Sequence, residues 1–219
     1  MKNFLPIHCL LCGEKTTGEV VCALCDADCA KNPPACPLCA MPSFQAELCH
    51  ICLHAPPEMA TTTALFAYEF PTQHLIVLMK YRENLALIQW FAKKLSAKIP
   101  KNAVIIPIPL APNRLKMRGF NQSLLLARSV QKILPKVEIA QNLLFHAKMA
   151  QNQTGLSQKE RIKNIRGAFF VQNPKTFENR PIFLLDDVMT TGATLNEAAR
   201  TLKAANIAPI NAIVLARRF

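Results

Sequence analysis

All nine cysteines of this chain lie between residues 9 and 52, and eight of them form four Cys-x2-Cys pairs. A shift of 27 residues places the first two pairs on the last two, so the segment is an internal repeat of Cys-x2-Cys-x9-Cys-x2-Cys. Two thiolates at this spacing can turn towards one metal ion, and such pairs are typical of tetrahedral zinc sites. The pairs are Cys9/Cys12, Cys22/Cys25, Cys36/Cys39 and Cys49/Cys52, and Cys29 is left over.

The repeat predicts two zinc ions, and the alternative is one ion with the remaining cysteines buried as small residues. Each ion takes its ligands either from consecutive pairs or from interleaved pairs (9/12 with 36/39, and 22/25 with 49/52). The strict repeat favours consecutive pairs. Four sulfur ligands leave no open coordination position, so the predicted role of the metal is structural. Because so short a segment cannot bury a sufficient core, we predict a metal-dependent module over residues 1–57.

Charge divides the chain in the same place. Residues 1–60 carry a net charge of −3, whereas residues 101–175 alone carry +11 within a chain of +12. Such a surplus attracts phosphorylated metabolites, single-stranded nucleic acid or anionic membrane surfaces, or it is simply a solvated basic face. No apolar run approaches the ~20 residues of a membrane helix, and the N-terminus lacks a cleavable signal pattern. We therefore expect a cytoplasmic protein without membrane insertion.

Residues 58–219 read as a second, α/β domain, because buried strands alternate with amphipathic helices. This alternation predicts a parallel sheet flanked by helices on both faces, with ligands bound at the carboxyl ends of the strands. Between the second strand and the third helix we expect a basic loop with Arg114, Lys116 and Arg118. Strands are predicted at 61–68, 104–109, 137–148, 168–172, 181–185 and 212–216, and helices at 73–80, 85–98, 121–134 and 194–206.

The segment 182–194 carries the predicted chemistry. Four apolar residues end at Asp186 and Asp187, and a Thr-Thr-Gly-x-Thr turn over Thr190, Thr191, Gly192, Ala193 and Thr194 opens a helix. Backbone N–H groups at a helix start, with a glycine that permits close approach, can hold a phosphate. Two carboxylates just before this turn would repel the phosphate but could bind a neutral diol attached to it. The pattern thus indicates a pentose 5-phosphate, and the alternative is a metal-binding acid pair before a capped helix.

This segment resembles the phosphoribosyl pyrophosphate (PRPP) motif of type I phosphoribosyltransferases. With the cysteine module and four further stretches added, the whole chain resembles the ComF/ComFC competence family, including its GntX-like members. Those stretches are Pro-Ile-Pro-Leu (107–110), Arg-Gly-Phe-Asn-Gln (118–122), Gln-Thr-Gly-Leu-Ser (153–157), and Arg161 with Asn164 and Gly-Ala-Phe (167–169).

The resemblance implies a type I phosphoribosyltransferase fold in which Asp186 and Asp187 bind the ribose hydroxyls. It implies further that residues 190–194 bind the 5-phosphate, and that Mg²⁺ is held by pyrophosphate and ribose oxygens. Arg114, Arg118 and Lys80 are then candidate phosphate ligands. Residues 149–167 correspond to the mobile loop that would bring Lys159 or Arg161 to the pyrophosphate.

Two classes of function follow from this resemblance. The first is a PRPP-dependent transferase acting on an unidentified base. The second is a competence factor that handles single-stranded DNA and has PRPP only as a regulatory ligand. Competence and DNA-import proteins are the expected protein partners.

Overall fold

The computed structural model describes residues 7–81, 84–147, 165–174 and 176–219. The cysteine-rich part contains two short strands, two short α-helices and a 3-10 turn at Phe44–Ala46, and the remainder is a larger α/β unit. The strands are β1 (Ile7–His8), β2 (Lys15–Thr16), β3 (Thr61–Ala67), β4 (Val104–Pro107), β5 (Glu138–Ile139), β6 (Leu144–His146), β7 (Phe169–Val171), β8 (Ile182–Met189) and β9 (Ile210–Arg217). The helices are α1 (Ala23–Ala27), α2 (His50–His54), α3 (Thr72–Tyr81), α4 (Leu85–Ser96), α5 (Pro112–Arg118), α6 (Gln122–Ile133) and α7 (Ala193–Ala204).

Five parallel strands form the main sheet in the order β3-β9-β8-β4-β5. The inner strands β9, β8 and β4 are apolar along most of their length, as expected of strands covered on both faces. Since all five strands are parallel, their carboxyl ends lie at one edge, where a ligand site is expected. The predicted fold class, a parallel sheet with flanking helices after a cysteine-rich module, is confirmed.

Two apolar cores cover the two faces of the sheet. Helices α3, α4 and α6 pack on one face, where Phe91 and Leu126 are fully buried. Helix α7 and the antiparallel strand pair β6–β7 pack on the other face, around Leu184 and Leu202. None of the described helices combines the length and the apolar character that crossing a membrane requires.

The cysteine-rich part lies along the outer edge of β3. The backbone N–H of Ala67 donates to the Ala30 carbonyl at 2.9 Å, and that of Thr62 donates to the Pro37 carbonyl at 2.7 Å. A β-bridge joins Lys31 and Phe66 in antiparallel orientation. Residues 30–38 thus take up hydrogen-bonding groups that the edge strand would otherwise leave unpaired.

Two predicted elements differ from the structure. The basic loop expected around Arg114 is helix α5, which begins at Pro112 and ends before Gly119, a residue with a left-handed φ of +79°. Proline in the first turn and glycine after the last residue are ordinary helix boundaries. The single strand expected over 137–148 is two strands: β5 extends the main sheet, and β6 pairs with β7.

Candidate functional site

The eight paired cysteines form two clusters from consecutive pairs, Cys9/Cys12/Cys22/Cys25 and Cys36/Cys39/Cys49/Cys52. Within each cluster all sulfur atoms lie within 4.8 Å of one another, and no disulfide is present. The Cys12–Cys22 and Cys39–Cys49 sulfur distances are 3.8 and 3.6 Å. Tetrahedral zinc with Zn–S bonds of about 2.3 Å needs sulfur atoms roughly 3.8 Å apart, so both donor sets fit zinc. The favoured consecutive pairing is the one observed.

Backbone donors prepare two of these sulfurs for metal binding. Burial alone would raise the pKa of Cys9, but backbone N–H groups of Cys12, Cys22 and Leu11 lower it to about 6. Cys36, the corresponding residue of the second repeat, is likewise lowered to a pKa of about 6 by backbone donors that outweigh its burial. A lower thiol pKa favours the thiolate, which is the form that binds zinc. The unpaired Cys29 is instead buried in the core, and burial raises its pKa.

The acidic pair lies near the carboxyl end of β8 and is held by residues from two helices. One carboxylate oxygen of Asp187 is 3.1 Å from Nζ of Lys80 at the end of α3, and the other accepts from Nε2 of Gln122 at 2.9 Å. The hydroxyl of Ser123 donates to Asp186 at 3.1 Å. Lys80 and Asp187 expose only 16% and 11% of their side chains. Their charges are therefore paired in a largely dry environment.

Helix α6 is fixed at this place by its first residues. The Asn121 side-chain oxygen accepts from the backbone N–H groups of Ser123 and Leu124, which caps the helix. The Asn121 amide nitrogen donates to the Ile108 carbonyl at 3.0 Å, just beyond the end of β4. One asparagine thus ties the start of α6 to the carboxyl edge of the sheet and sets the positions of Gln122 and Ser123.

Burial and the neighbouring charge change the titration of Asp186. Desolvation raises the pKa of Asp186 to about 7, and the carboxylate of Asp187 adds to the increase. The hydrogen bond from Ser123 and the charge of Lys80 act in the opposite direction. Near neutral pH the Asp186 carboxyl group is therefore partly protonated.

A buried hydrogen-bond acceptor next to the acidic pair has no partner among the described residues. Gln122 is 1% exposed, and its side-chain oxygen accepts no hydrogen bond from any described residue, while its amide nitrogen is bound to Asp187. Buried polar atoms are nearly always hydrogen-bonded in folded proteins. The oxygen therefore offers an acceptor for a donor beyond the described residues, such as a ligand hydroxyl group.

The turn between β8 and α7 begins two residues after the acidic pair, where β8 ends at Met189. Gly192 precedes the helix with a left-handed φ of +80°, and a Cβ at this position would lie 2.5 Å from the terminal methyl of Met189. The Thr191 hydroxyl accepts from the backbone N–H of Ala193 at 3.3 Å. Thr190 is exposed, and Thr191 and Thr194 are partly exposed. The turn predicted over 190–194 thus opens a helix at the carboxyl end of the strand, and the left-handed φ favours glycine at residue 192.

The remaining predicted ligands are placed differently from one another. Lys80 contacts Asp187, so its role as a phosphate ligand stays a prediction. Arg114 and Arg118 lie on α5, which follows the carboxyl end of β4, and Arg114 is exposed. Lys159 and Arg161, with most of the predicted loop over 149–167, lie outside the described residues.

The sequence did not single out Ser123 or Arg217 as parts of this region. Arg217 ends β9, is 5% exposed, and donates to the carbonyls of Met189 and Thr190 at the beginning of the turn. Burial lowers its pKa, and the nearby thiolates of the second cluster oppose that change. The sequence signal that could have identified Arg217 is its position as a charged residue at the end of an otherwise apolar strand.

Comparison with known proteins shows which proteins have a similar sequence. The profile described as "Phosphoribosyl transferase domain" matches residues 121–218, which contain the acidic pair and the turn. Competence protein F of Haemophilus influenzae is 29% identical, over 99% of this chain and 100% of its own. The chain is a homologue of the ComF competence proteins. Competence protein ComFC of Bacillus subtilis is 26% identical over 94% of each chain, and the DNA utilization protein YhgH of Escherichia coli is 27% identical over 83% of each.

Among solved structures, a hypoxanthine phosphoribosyltransferase from Staphylococcus aureus aligns with a TM-score of 0.34 and 13% identity. The alignment covers 59% of this ComF homologue and 62% of that enzyme.

Proposed function

We propose that this ComF homologue binds PRPP at the carboxyl edge of its sheet and acts in the uptake or use of DNA. The observation that carries the proposal is the acidic pair with Gln122, whose side-chain oxygen has no partner among the described residues, followed after two residues by the 190–194 turn. The carboxylates that could accept hydrogen bonds from a ribose diol thus precede the turn whose backbone could donate to a 5-phosphate, and PRPP carries both groups on one ribose. The phosphoribosyl transferase profile covers both groups.

Each residue has a proposed role towards this ligand. Asp186 and Asp187 accept hydrogen bonds from the ribose hydroxyls, and backbone and hydroxyl donors of residues 190–194 bind the 5-phosphate. Lys80 holds the Asp187 carboxylate in place through their 3.1 Å ion pair. Arg114 and Arg118 are the proposed contacts for the pyrophosphate, whose oxygens would share Mg²⁺ with the ribose. Bound Mg²⁺ would supply charge neutralisation for the leaving group.

The proposed reaction is the displacement of pyrophosphate from ribose C1 by a nitrogen atom of an acceptor. The C1–O bond breaks with its electron pair on pyrophosphate, and the acceptor nitrogen forms the new bond. Carboxylates near the ribose stabilise the positive charge that develops on the ring. The two cysteine clusters, with zinc bound, would have a structural role in this protein.

The names of the relatives indicate the process in which such an activity would serve. Two carry competence in their names, and a third carries DNA utilization. A second candidate, in which PRPP only regulates a single-stranded-DNA-handling protein, is favoured by the +11 charge of residues 101–175. Basic surfaces of this kind follow phosphate backbones and bind less tightly as salt rises.

The first test measures PRPP binding and pyrophosphate release with zinc-loaded protein and Mg²⁺, across purine and pyrimidine bases. We expect Asp187→Asn to weaken PRPP binding about a hundredfold, because a charge-assisted bond is worth roughly 1.5–3 kcal/mol and Lys80 also loses its partner. The exposed Glu178 provides the matched control Glu178→Gln. Base-dependent release supports the transferase, and PRPP binding without release supports the regulatory alternative. If Asp187→Asn binds PRPP as well as wild type, the diol assignment is wrong.

The pH dependence of binding tests Asp186. Its pKa of about 7 means that the ionised acceptor forms as pH rises through neutrality. PRPP affinity should therefore increase about tenfold from pH 6 to pH 8 and then level off. In Asp186→Asn this part of the increase should disappear, leaving only the titration of the PRPP phosphates. An identical pH profile in the two proteins contradicts the assignment.

A further inference from the structure

Arg217 connects the second cysteine cluster with the turn that begins the proposed phosphate site. Its Nε donates to the Cys39 carbonyl at 3.0 Å, on the side of the cluster. One terminal nitrogen donates to the Met189 carbonyl at 3.0 Å, to the Thr190 carbonyl, and to the Arg218 carbonyl at 2.8 Å. Within the described parts of the chain these backbone carbonyls are its hydrogen-bond partners. The guanidinium is planar and rigid, so it fixes the separation of the groups that it bridges.

The turn is sensitive to the position of Met189. Besides accepting from Arg217, the Met189 carbonyl accepts from the backbone N–H of Arg218 at 2.9 Å. The terminal methyl of the Met189 side chain packs against Gly192, 2.5 Å from the place that a Cβ of residue 192 would take. Thr190 continues directly into the turn. A movement of the Met189 and Thr190 carbonyls would therefore shift the backbone N–H groups proposed to bind the phosphate.

The second cluster is attached to the same place by further bonds. The Thr62 hydroxyl donates to the Leu38 carbonyl at 2.7 Å, and the Thr62 backbone N–H donates to the Pro37 carbonyl. The Leu38 and Cys39 carbonyls are thereby held between β3 and the end of β9. Zinc at this cluster would fix the Cys36–Cys39 turn, the zinc knuckle that contains both carbonyls. Four thiolates around a divalent ion would also leave a net negative charge near the buried guanidinium of Arg217.

We propose that Arg217 is a positioning residue through which the second cysteine cluster orders the 190–194 turn, so that zinc at that cluster and a phosphate ligand at the turn favour each other. The ligand half of this inference rests on the function proposed above, whereas the ordering of the turn does not. Coupling between two sites is reciprocal, so zinc strengthens PRPP binding by the same factor by which PRPP strengthens zinc binding.

The test uses the full-length zinc-loaded protein and compares Arg217→Gln with Arg128→Gln. Arg128 is exposed on α6 and donates a hydrogen bond to Gln141. Its replacement by glutamine removes the same charge at a distance from the turn. Hydrogen exchange of the backbone over 186–194 is measured first, without ligand. We expect exchange about tenfold faster in Arg217→Gln and unchanged in Arg128→Gln. Arg217→Lys keeps the charge without the fork, is less apt to disturb folding, and should give a smaller increase.

Zinc release to a colorimetric chelator is then followed with and without PRPP. In wild type, PRPP should slow the release of one of the two zinc ions about tenfold, within the usual range of coupling energies. In both Arg217 variants this protection should shrink, and in Arg128→Gln it should persist.

The outcomes separate the two proposals. Faster exchange of the turn in Arg217→Gln and Arg217→Lys, with loss of PRPP protection, supports the coupling. Unchanged exchange in both variants overturns it, whether or not PRPP binds. If wild type fails to bind PRPP but the turn still depends on Arg217, the proposed function is wrong and the ordering role stands. If wild type binds PRPP and zinc release is the same with and without it, the linkage is wrong and the function stands.

Discussion

The two cysteine repeats share one spacing and differ in what they contact. The first, Cys9–Cys25, has Val21 buried in the apolar core that contains α4, and ion pairs lie beside it: Asp26 with Lys94 at 2.6 Å, and Glu19 with Lys93. The second, Cys36–Cys52, is joined to the sheet by backbone hydrogen bonds to β3 and by Arg217. The same cysteine spacing is thus combined with different attachments: the first repeat contacts α4, and the second is hydrogen-bonded to the main sheet.

This difference shows that metal-ligand spacing determines a local site but not its influence on the rest of the molecule. The residues between the ligands decide where each knuckle attaches. In the first repeat they include the buried Val21 and partly exposed ion pairs, and such pairs contribute little to stability. In the second they include carbonyls bound by a buried arginine and a buried threonine, which leave unsatisfied groups when broken. The second repeat should therefore affect the candidate site more strongly than the first.

The largest expected effect compares Cys36→Ser with Cys9→Ser, because these residues occupy the same position in the two repeats and are both buried. Each variant should lose one bound zinc ion per chain. Only Cys36→Ser should also weaken PRPP binding, by about tenfold or more, since it loosens the knuckle held by Arg217. Zinc content by atomic emission and PRPP affinity by calorimetry check this. Equal losses of affinity in the two variants would remove the distinction between the repeats.

A smaller effect is expected at the junction of the second repeat with β3. Thr62→Val removes the hydroxyl bound to the Leu38 carbonyl without changing the shape of the side chain, and should lower the free energy of unfolding by roughly 1–2 kcal/mol. The matched control is Thr63→Val, one residue along the same strand, which should change stability by less than about 0.5 kcal/mol. Denaturant unfolding provides the measurement. A Thr62 variant as stable as the control would show that this junction is not important for stability.

The smallest effects are expected where the first repeat meets α4. The Lys94 ammonium pairs with Asp26 and lies 4.4 Å from the centre of the Trp90 ring, so Lys94→Ala should cost about 1 kcal/mol. Lys93→Ala breaks an exposed pair with Glu19 and should cost less than about 0.5 kcal/mol. Neither change should alter PRPP affinity. A loss of affinity in Lys94→Ala, with the fold intact, would mean that the first repeat also reaches the site.

Much of the fold follows from local sequence signals. Strands β4, β8 and β9 are short apolar runs, and the structure places them within a few residues of the predicted bounds. Helix α5 was missed because three basic residues and a proline suggested a loop, although Pro112 and Gly119 are typical helix boundaries. The division of 137–148 between two sheets depends on tertiary pairing with β4 and β7, which no local pattern reveals.

The candidate site was predictable only where its residues are neighbours in sequence. The acids and the 190–194 turn form one continuous motif, and each cysteine cluster lies within a short segment. Ser123 and Arg217 depend on how distant elements meet, as does the contact of Lys80 with Asp187. The open choice between consecutive and interleaved ligand pairs was likewise settled by the three-dimensional arrangement.

The position of residues 30–38 along β3 has a consequence for how the chain behaves when its knuckles open. An outer strand with unpaired N–H and C=O groups is a template on which another copy can add a strand, and this is a common route to aggregation. Here the cysteine-rich segment occupies that position by bonding to Thr62 and Ala67. Loss of the metal, or removal of the residues that precede residue 58, would therefore expose the edge of β3 to a second copy of the chain. The cysteine-rich segment thus protects the sheet against polymerisation through this edge.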